Sequence, residues 1–261
     1  MSADTNLLLQ SDLGGVRTLT LNRPGARNAL SSALITRLTL ALQNTHNDSS
    51  IHVVILAGSG PAFCAGHDLK EMRSHNDPAW TLALFQACGD LMLTMTRCRQ
   101  PIIARVHGIA TAAGCQLVAT ADLAIASDSA TFATPGVNIG LFCSTPMVAL
   151  TRTIGRKKAM EMLLTGRAIS AAEAETAGLI NAAVATDALD KKVNDLAQSI
   201  AAKSPKVLAI GKRAFYEQID QSMVDAYTTA SAVMAKNMME PDATEGIDAF
   251  LEKRRPVWQN L

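Results

Sequence analysis

The sequence predicts an α/β fold, because apolar, strand-like runs alternate with stretches that have helical spacing. Three near-continuous apolar runs, at 51–57, 101–106 and 122–127, are typical of strands covered on both faces. A small-residue loop and a helical pattern follow each of the first two runs, which is the order found in βαβ units. With 261 residues and 48% hydrophobic composition, the chain can bury one large core.

The first half of the chain contains seven predicted elements. They are a hairpin with strands at 7–11 and 16–22, a helix from Ser31 or Ser32 to about Asp48, the strand at 51–57, a helix from about Asp77 to Arg97, the strand at 101–106, a helix ending near Ala121 and the strand at 122–127. Gly14 and Gly15 supply the hairpin turn.

Helical patterns dominate the last third of the chain. The stretch SAAE at 170–173 has the spacing of a capping box, and Gly178 is a typical stop for the helix that it begins. Further helices are predicted at 187–203, 205–218, 223–237 and 241–255. We therefore predict a core at 1–200 and a helical region at 201–261, joined in one continuous unit.

The composition argues against several classes of protein. The formal charge is +1, so no general field attracts nucleic acid or an anionic membrane. The five cysteines lack metal-ligand spacing and predict reduced thiols without a metal site. No apolar run approaches the roughly 20 residues of a membrane helix, and the first residues lack the basic start of a targeting peptide. We expect a soluble, cytoplasmic protein without membrane insertion.

Two loops, FCAGHD at 63–68 and TAAGCQ at 111–116, place small residues just before a predicted helix. Small side chains let backbone N–H groups approach a ligand oxygen, and a helix start favours negative charge. Together the loops can form an oxyanion hole, whereas for each loop alone tight packing of a helix on a sheet is the favoured explanation. Neither loop has the spacing of a Walker or G-x-G-x-x-G nucleotide site.

Five motifs in order resemble the enoyl-CoA hydratase/isomerase (crotonase) superfamily. They are LTLNRPGARNALS, GPAFCAGHDLKEM, VHGIATAAGCQLVATADLAIAS, GRKKAMEMLLTGRAISAAEAETAGLIN and FLEKRRPVW. The resemblance implies a crotonase-like spiral of repeated ββα turns with a C-terminal helical region through which subunits form a homotrimer or hexamer. It also implies an acyl-CoA thioester ligand, with coenzyme A as part of the substrate and with neither a prosthetic group nor a metal.

The resemblance assigns roles to individual residues. The backbone N–H groups of Ala65 and Ala113 would form an oxyanion hole that holds the thioester oxygen while an enolate forms. The coenzyme A moiety would contact three segments, namely Ala26, the turn Ala65, Gly66, His67 and Asp68, and Lys253. Two of these residues have plainer alternatives, because Asp68 can cap the following helix and Lys253 can be one charge of an exposed helix end.

The two proton-transferring glutamates of the family's hydratases correspond here to Gln116 and Gly136. Glutamine can orient water but cannot accept a proton at neutral pH, and glycine has no side chain. Each proton-transferring group contributes about 10²- to 10⁴-fold to the rate, so the loss of both groups predicts very slow hydration. Other candidates for the chemistry are His67, whose unperturbed pKa suits acid–base work, and Cys143 and Ser144, which lie where other branches place an aspartate.

Four functions follow from these residues. The chain can be an acyl-CoA lyase or isomerase that stabilises a thioester enolate without the paired glutamates, which is our main prediction. It can be a genuine enoyl-CoA hydratase in which Gln116 positions the water. It can be an acyl-CoA decarboxylase or isomerase that uses His67 or Cys143, or a protein that binds acyl-CoA without catalysis.

Overall fold

The computed structural model describes residues 6–259, which form two β-sheets covered by helices. The strands are, in chain order, β1 (Leu8–Leu13), β2 (Val16–Leu21), β3 (Val53–Gly58), β4 (Ala62–Cys64), β5 (Ile102–Val106), β6 (Ile109–Thr111), β7 (Leu123–Ser127), β8 (Thr131–Ala133), β9 (Ile169–Ser170) and β10 (Ala182–Val184). The larger sheet has the order β1-β2-β3-β5-β7-β10, and the smaller sheet has the order β4-β6-β8-β9. All neighbours are parallel except the pairs β1–β2 and β8–β9.

The helices cover both faces of the larger sheet and continue beyond it. They are α1 (Ser32–His46), α2 (Leu69–Ser74), α3 (Pro78–Arg97), α4 (Ala113–Thr120), α5 (Ser144–Thr153), α6 (Arg156–Thr165), α7 (Ala171–Ala177), α8 (Leu189–Ala201), α9 (Pro205–Gln218), α10 (Met223–Asn237) and α11 (Pro241–Leu251). Within residues 6–259, no helix is both long and apolar enough to cross a membrane.

The central strand β3 is buried along its whole length, as its continuous apolar sequence predicts. Val54 and Leu56 point into the main core beneath α1, α3 and α4, whereas Val53 and Ile55 point into a second cluster beneath α8. Successive side chains of β3 point to opposite faces of the sheet, so the strand contributes to two apolar layers that pack the sheet between helices.

The predicted elements are largely confirmed. The hairpin, the three apolar strands, α9 and α10 lie where the patterns place them, and the capping box of Ser170 and Glu173 begins α7, which ends at Gly178 with φ 83°. The last helix is shorter than predicted because it ends at Leu251 rather than near 255. The segments at 58–68 and 107–114 were expected to be loops, but each contains a three-residue strand, β4 or β6, of the second sheet.

A buried polar cluster fixes α9 to the core. Lys212 Nζ donates to the carbonyl oxygens of Met95 and Gln100 at 3.0 Å and to Asp122 Oδ2 at 2.7 Å, and the Tyr216 hydroxyl donates to Asp122 Oδ1 at 2.9 Å. The Asp122 charge is therefore paired and fully hydrogen-bonded, which is what a largely buried charge requires. The predicted division at residue 200 falls beside the end of α8 and stays a prediction.

Candidate active site

The two small-residue loops meet because β4 and β6 are parallel neighbours, with Ala62 opposite Ile109 and Cys64 opposite Ala110. The chain leaves both strands at the same edge of the smaller sheet. Gly114, in the first turn of α4, lies directly on β4, since a Cβ built on it would be only 2.1 Å from the Cys64 carbonyl oxygen. This close approach requires glycine, and it brings the start of α4 against the turn at 65–68.

A strained turn precedes α4. Ala112 has φ 50° and ψ −117°, a backbone conformation that costs an alanine roughly 1–3 kcal/mol. Its N–H donates to the Ala133 carbonyl oxygen at 2.9 Å, which holds the turn on β8. The next N–H, that of Ala113, lies at the first position of the helix, and it has no acceptor among the described residues. An acceptor with negative charge is favoured at this position by the helix dipole.

The N–H group of Ala65, which the sequence analysis assigned as an oxyanion donor, already has an acceptor within the protein. It donates to the Arg27 carbonyl oxygen at 3.0 Å. His67 instead forms a single parallel bridge with Leu30, in which the Leu30 N–H donates to the Gly66 oxygen at 2.7 Å and the Asp68 N–H donates to the Leu30 oxygen at 3.0 Å.

In an extended segment successive N–H groups point to opposite sides, so the His67 N–H points away from Leu30. It has no acceptor within residues 6–259. Gly66 places this part of the turn beside α4, because a Cβ built on it would lie 2.9 Å from the Ala112 Cβ and 3.5 Å from the Ala113 nitrogen. The Gly66 N–H faces the Cys64 thiol, so the available N–H of this turn is that of His67, the residue after the glycine that packs against the start of α4.

The His67 side chain is enclosed and has no polar partner. Neither ring nitrogen has a hydrogen-bond partner among the described residues, and the ring packs edge-on against Phe85 of α3 with centroids 5.2 Å apart. Burial lowers the pKa of His67 from its usual value, so the imidazole is neutral at pH 7. A neutral imidazole can accept a proton at one nitrogen and donate from the other.

Gln116 is buried at 4% exposure, and its Oε1 has no hydrogen-bond partner within the described residues. It lies one turn along α4 from Ala113, on the wall of a groove of about 1380 Å³ between α3, α4 and α5 on one side and α9 on the other. A buried amide oxygen without a partner costs about 1–3 kcal/mol, which a bound donor would recover.

The position of Gly136 has no room for a side chain. A Cβ built there would lie 2.7 Å from the Leu141 carbonyl oxygen and 3.0 Å from Cys143 Sγ. Burial raises the pKa of the Cys143 thiol, so it is protonated at pH 7 and is a weak nucleophile. Ser144 is exposed, and its hydroxyl donates to the Phe142 carbonyl oxygen at 3.4 Å. Among residues 6–259, neither Cys143 nor Ser144 is hydrogen-bonded to a basic side chain that would activate it.

Asp68 has the capping role that was the plainer alternative. Its Oδ1 accepts from the N–H groups of Lys70 at 3.1 Å and Glu71 at 3.3 Å, and its Oδ2 accepts from Arg23 at 2.8 Å. Burial opposes ionisation, but the Arg23 guanidinium and these hydrogen bonds hold the pKa of Asp68 below its usual value. The carboxylate is thus occupied within the protein.

The other expected coenzyme A contacts lie apart from each other in the chain. Ala26 is exposed at the end of a short 3-10 turn at Pro24–Ala26, beside the Arg27 carbonyl that receives the Ala65 N–H. Lys253 follows α11 with φ 57°, and its side chain has no salt-bridge partner within residues 6–259. Over the same range, no group of three or more His, Cys, Asp or Glu side chains is arranged to hold a metal ion.

The chain belongs to the enoyl-CoA hydratase/isomerase family, whose model matches residues 12–260. It is similar to the mitochondrial enoyl-CoA hydratase domain-containing protein 3 of Danio rerio, with 45% identity over all of this chain and 90% of that protein. The human protein of the same name is 44% identical over 95% of this chain and 82% of its own length.

Two solved structures share this crotonase fold. An enoyl-CoA hydratase from Mycobacterium smegmatis superposes with a TM-score of 0.95 and is 54% identical, over 97% of this chain and 99% of that one. Human enoyl-CoA hydratase domain-containing protein 3 also gives a TM-score of 0.95, with 43% identity over 97% of this chain and 100% of that one. The mixed α/β fold with a C-terminal helical region is thereby confirmed.

The prediction of a cytoplasmic location is wrong. It is contradicted by the relatives from Danio rerio, Rattus norvegicus and Homo sapiens, which are all named as mitochondrial proteins.

Proposed function

We propose that the protein is an acyl-CoA thioester enzyme, a lyase or isomerase, that stabilises a thioester enolate without paired carboxylates. The observation that carries this proposal is the pair of available N–H groups of His67 and Ala113, one on the turn that Gly66 packs against α4 and the other at the first position of α4. Two such donors at a helix N-terminus are suited to a thioester oxygen on which negative charge develops. The adjoining turn and the exposed Ala26 supply the surface for coenzyme A.

The reaction begins with removal of a proton from the carbon next to the thioester carbonyl. The neutral imidazole of His67 accepts this proton, and the electron pair moves onto the carbonyl oxygen to give an enolate. The N–H groups of His67 and Ala113 hold that oxygen. Return of the proton to a different carbon gives isomerisation, and departure of a group from the neighbouring carbon gives a lyase reaction.

Hydration by paired carboxylates is disfavoured on both sides of the site. Gln116 cannot accept a proton at neutral pH, and the space at Gly136 is filled by the Leu141 carbonyl and the Cys143 thiol. We therefore expect that the double variant Gln116→Glu/Gly136→Glu does not gain crotonyl-CoA hydration and unfolds at a lower temperature than Gln116→Glu alone. A stable double variant with rapid hydration would contradict this interpretation.

The experiment that tests the proposal is exchange of the α-protons of butyryl-CoA in D₂O, followed by NMR. Ala113→Pro removes the N–H at the first helical position, and because proline restricts the backbone of the preceding Ala112, the melting temperature of the variant is compared with that of the wild type to check that the turn is kept. We expect exchange to fall about 10²- to 10³-fold, the usual effect of losing one oxyanion donor. Arg156→Pro, at the first position of α6, is the matched control and keeps the wild-type rate. Equal exchange by Ala113→Pro and wild type would refute the proposal.

Gln116 supports a second candidate, a hydratase in which its amide positions the attacking water. The supporting observation is that the buried Oε1 lacks a partner within residues 6–259, as expected of an acceptor that waits for a water or a hydroxyl. This candidate requires measurable hydration of crotonyl-CoA by the wild type and its loss in Gln116→Ala. Binding of acyl-CoA without exchange or hydration would instead indicate a non-catalytic binding protein.

The helical region also supports a homo-oligomer, a trimer or a hexamer. Large apolar side chains of α10 and α11 are exposed in the single chain, among them Met223, Val224, Tyr227 and Phe250, each more than 70% exposed. Apolar side chains clustered on one region are typical of a surface that is covered in an assembly. Light scattering during gel filtration measures the subunit number, and a monomeric mass would refute this part of the proposal.

A further inference from the structure

The groove lined by Gln116 carries acidic side chains that are mostly neutralised within the protein. Three of them have a basic partner, as follows: Asp122 with Lys212 at 2.7 Å, Asp220 with Arg152 at 3.9 Å and Glu240 with Lys206 at 3.9 Å. The acidic residue that remains on the groove wall without such a partner, among the described residues, is Glu217.

Four cations that line the groove from different sides have no salt-bridge partner within residues 6–259. They are Arg97 and Arg99 at the end of α3, Arg213 on α9 and Lys236 on α10. Glu217 supplies one negative charge against these four positive charges, so a net positive charge remains inside the concave groove. A concave site with one sign of excess charge concentrates ligands of the opposite sign, so this groove favours an anionic group.

The groove begins one helical turn from the proposed thioester position, because its wall includes Gln116, three residues after Ala113 on α4. Small or apolar residues such as Met92, Ala119 and Val148 line the wall beside it. Met92 contacts α4, since its sulfur lies 3.3 Å from the Thr120 hydroxyl oxygen. Arg97 lies five residues further along α3, or about 7.5 Å.

These positions set the length of an acyl chain that would connect the thioester to the unpaired cations. The path runs along α4 from Ala113 to Thr120, about 10 Å, and then along α3 toward Arg97. The Arg97 side chain extends back along the α3 part of this path, which shortens the distance that a ligand must span. An extended chain spans roughly 3.5 Å for every three bonds, so about ten carbons are needed to reach the arginine head groups.

We infer that the acyl group is a medium-length chain with a carboxylate at its far end, the half-thioester of a dicarboxylic acid, and that Arg97 and Arg213 bind this carboxylate. The inference rests on the proposed function, because it assumes that the thioester lies at the N-terminus of α4. An acyl chain of this class crosses the apolar wall beside Gln116 and places its anionic end among the unpaired cations.

Isothermal titration of two ligands that differ only in the terminal group tests this inference. Decanoyl-CoA and sebacoyl-CoA have the same chain length and the same coenzyme A moiety, so contacts to the phosphates cancel in the comparison. We expect sebacoyl-CoA to bind about tenfold more tightly, since each of the two exposed charge pairs adds a small electrostatic attraction. The preference is also expected to shrink as salt is raised.

Variants and a short-chain pair identify the source of the preference. Arg97→Gln/Arg213→Gln is expected to bind the two ten-carbon ligands equally, whereas Arg37→Gln, an exposed arginine on α1 away from the groove, keeps the difference. Butyryl-CoA and succinyl-CoA are too short to reach the cations, so they are expected to bind with equal affinity.

The outcomes separate this inference from the proposed function. Tight binding of decanoyl-CoA with no gain for sebacoyl-CoA would overturn the inference and leave the acyl-CoA site in place. A preference for sebacoyl-CoA that survives in Arg97→Gln/Arg213→Gln would also overturn it. Failure of every thioester to bind would instead refute the proposed function.

Discussion

Replacing Gly114 by alanine is expected to damage both stability and catalysis, because this glycine sets the distance between α4 and β4. The added Cβ would lie 2.1 Å from the Cys64 carbonyl oxygen, a backbone atom that cannot rotate away. Contacts below 3.0 Å are essentially never formed by real Cβ atoms, so α4 and β4 must separate by about 0.9 Å. Overpacking of this kind costs about 1–3 kcal/mol.

The same displacement separates the N–H groups of Ala113 and His67. A misplacement near 1 Å in a catalytic site can cost about 10²-fold in rate. We therefore expect Gly114→Ala to lower the melting temperature by about 4–10 °C and to slow α-proton exchange of butyryl-CoA by about 10²-fold. Differential scanning calorimetry and NMR exchange measure the two effects on the same sample.

Gly89→Ala is the matched control. Gly89 lies inside α3, and a Cβ built on it meets no atom within 4 Å. Alanine in a helix interior is favoured over glycine by roughly 0.5–1 kcal/mol, so this variant should unfold at an equal or higher temperature and keep the wild-type exchange rate. A Gly114→Ala protein with unchanged melting temperature and exchange rate would refute the reasoning about this contact.

Three further predictions follow from the buried titratable groups. Burial lowers the pKa of His67 in the folded chain, so the unfolded chain takes up the proton first as the pH falls below about 6.5, and the free energy of unfolding decreases there. In His67→Gln, the dependence of this free energy on pH, measured by calorimetry, should be weaker than in the wild type. An identical dependence in both proteins would contradict the burial argument. Lys212→Met leaves the buried Asp122 without its cation and should lower the free energy of unfolding in denaturant by about 3 kcal/mol. The control Lys191→Met, at an exposed ion pair, should lower it by less than about 1 kcal/mol. Equal losses in the two variants would contradict the claim that the buried pair contributes more to stability. Because burial raises the pKa of the Cys143 thiol, its alkylation by iodoacetamide at pH 7.5 should be much slower than that of a free thiol in a peptide, and rapid labelling followed by mass spectrometry would contradict this.

Long periodic segments could be predicted from the sequence, and short ones could not. The bounds of α9 and α10 match the predicted ranges, because their capping residues Ser204 and Ser222 mark the starts of patterns of fourteen and fifteen residues. The strands β4 and β6 have three residues each, too few to show a period of two, so their glycine-rich surroundings favoured a loop interpretation.

The candidate site, like the fold, could be predicted from the sequence only in part. The sequence analysis placed the two small-residue turns in one locality, and they do meet, because the parallel strands β4 and β6 end at one edge of a sheet. It assigned the first donor to Ala65 rather than His67, since the direction of each N–H depends on the distant Leu30, which pairs with the turn. The groove beyond Gln116 was equally hidden, because α3, α4, α5 and α9 form it from separate parts of the chain.

The most direct test of the central claim is the rate of crotonyl-CoA hydration by the wild-type protein, measured from the loss of the conjugated thioester absorbance. The reference is a family member that carries both glutamates. With Gln116 and Gly136 in their places, we expect a rate lower by several orders of magnitude, since each missing group contributes about 10²- to 10⁴-fold. A rate within about tenfold of the reference, or roughly 1.4 kcal/mol of barrier, would contradict the claim that paired-carboxylate chemistry is absent.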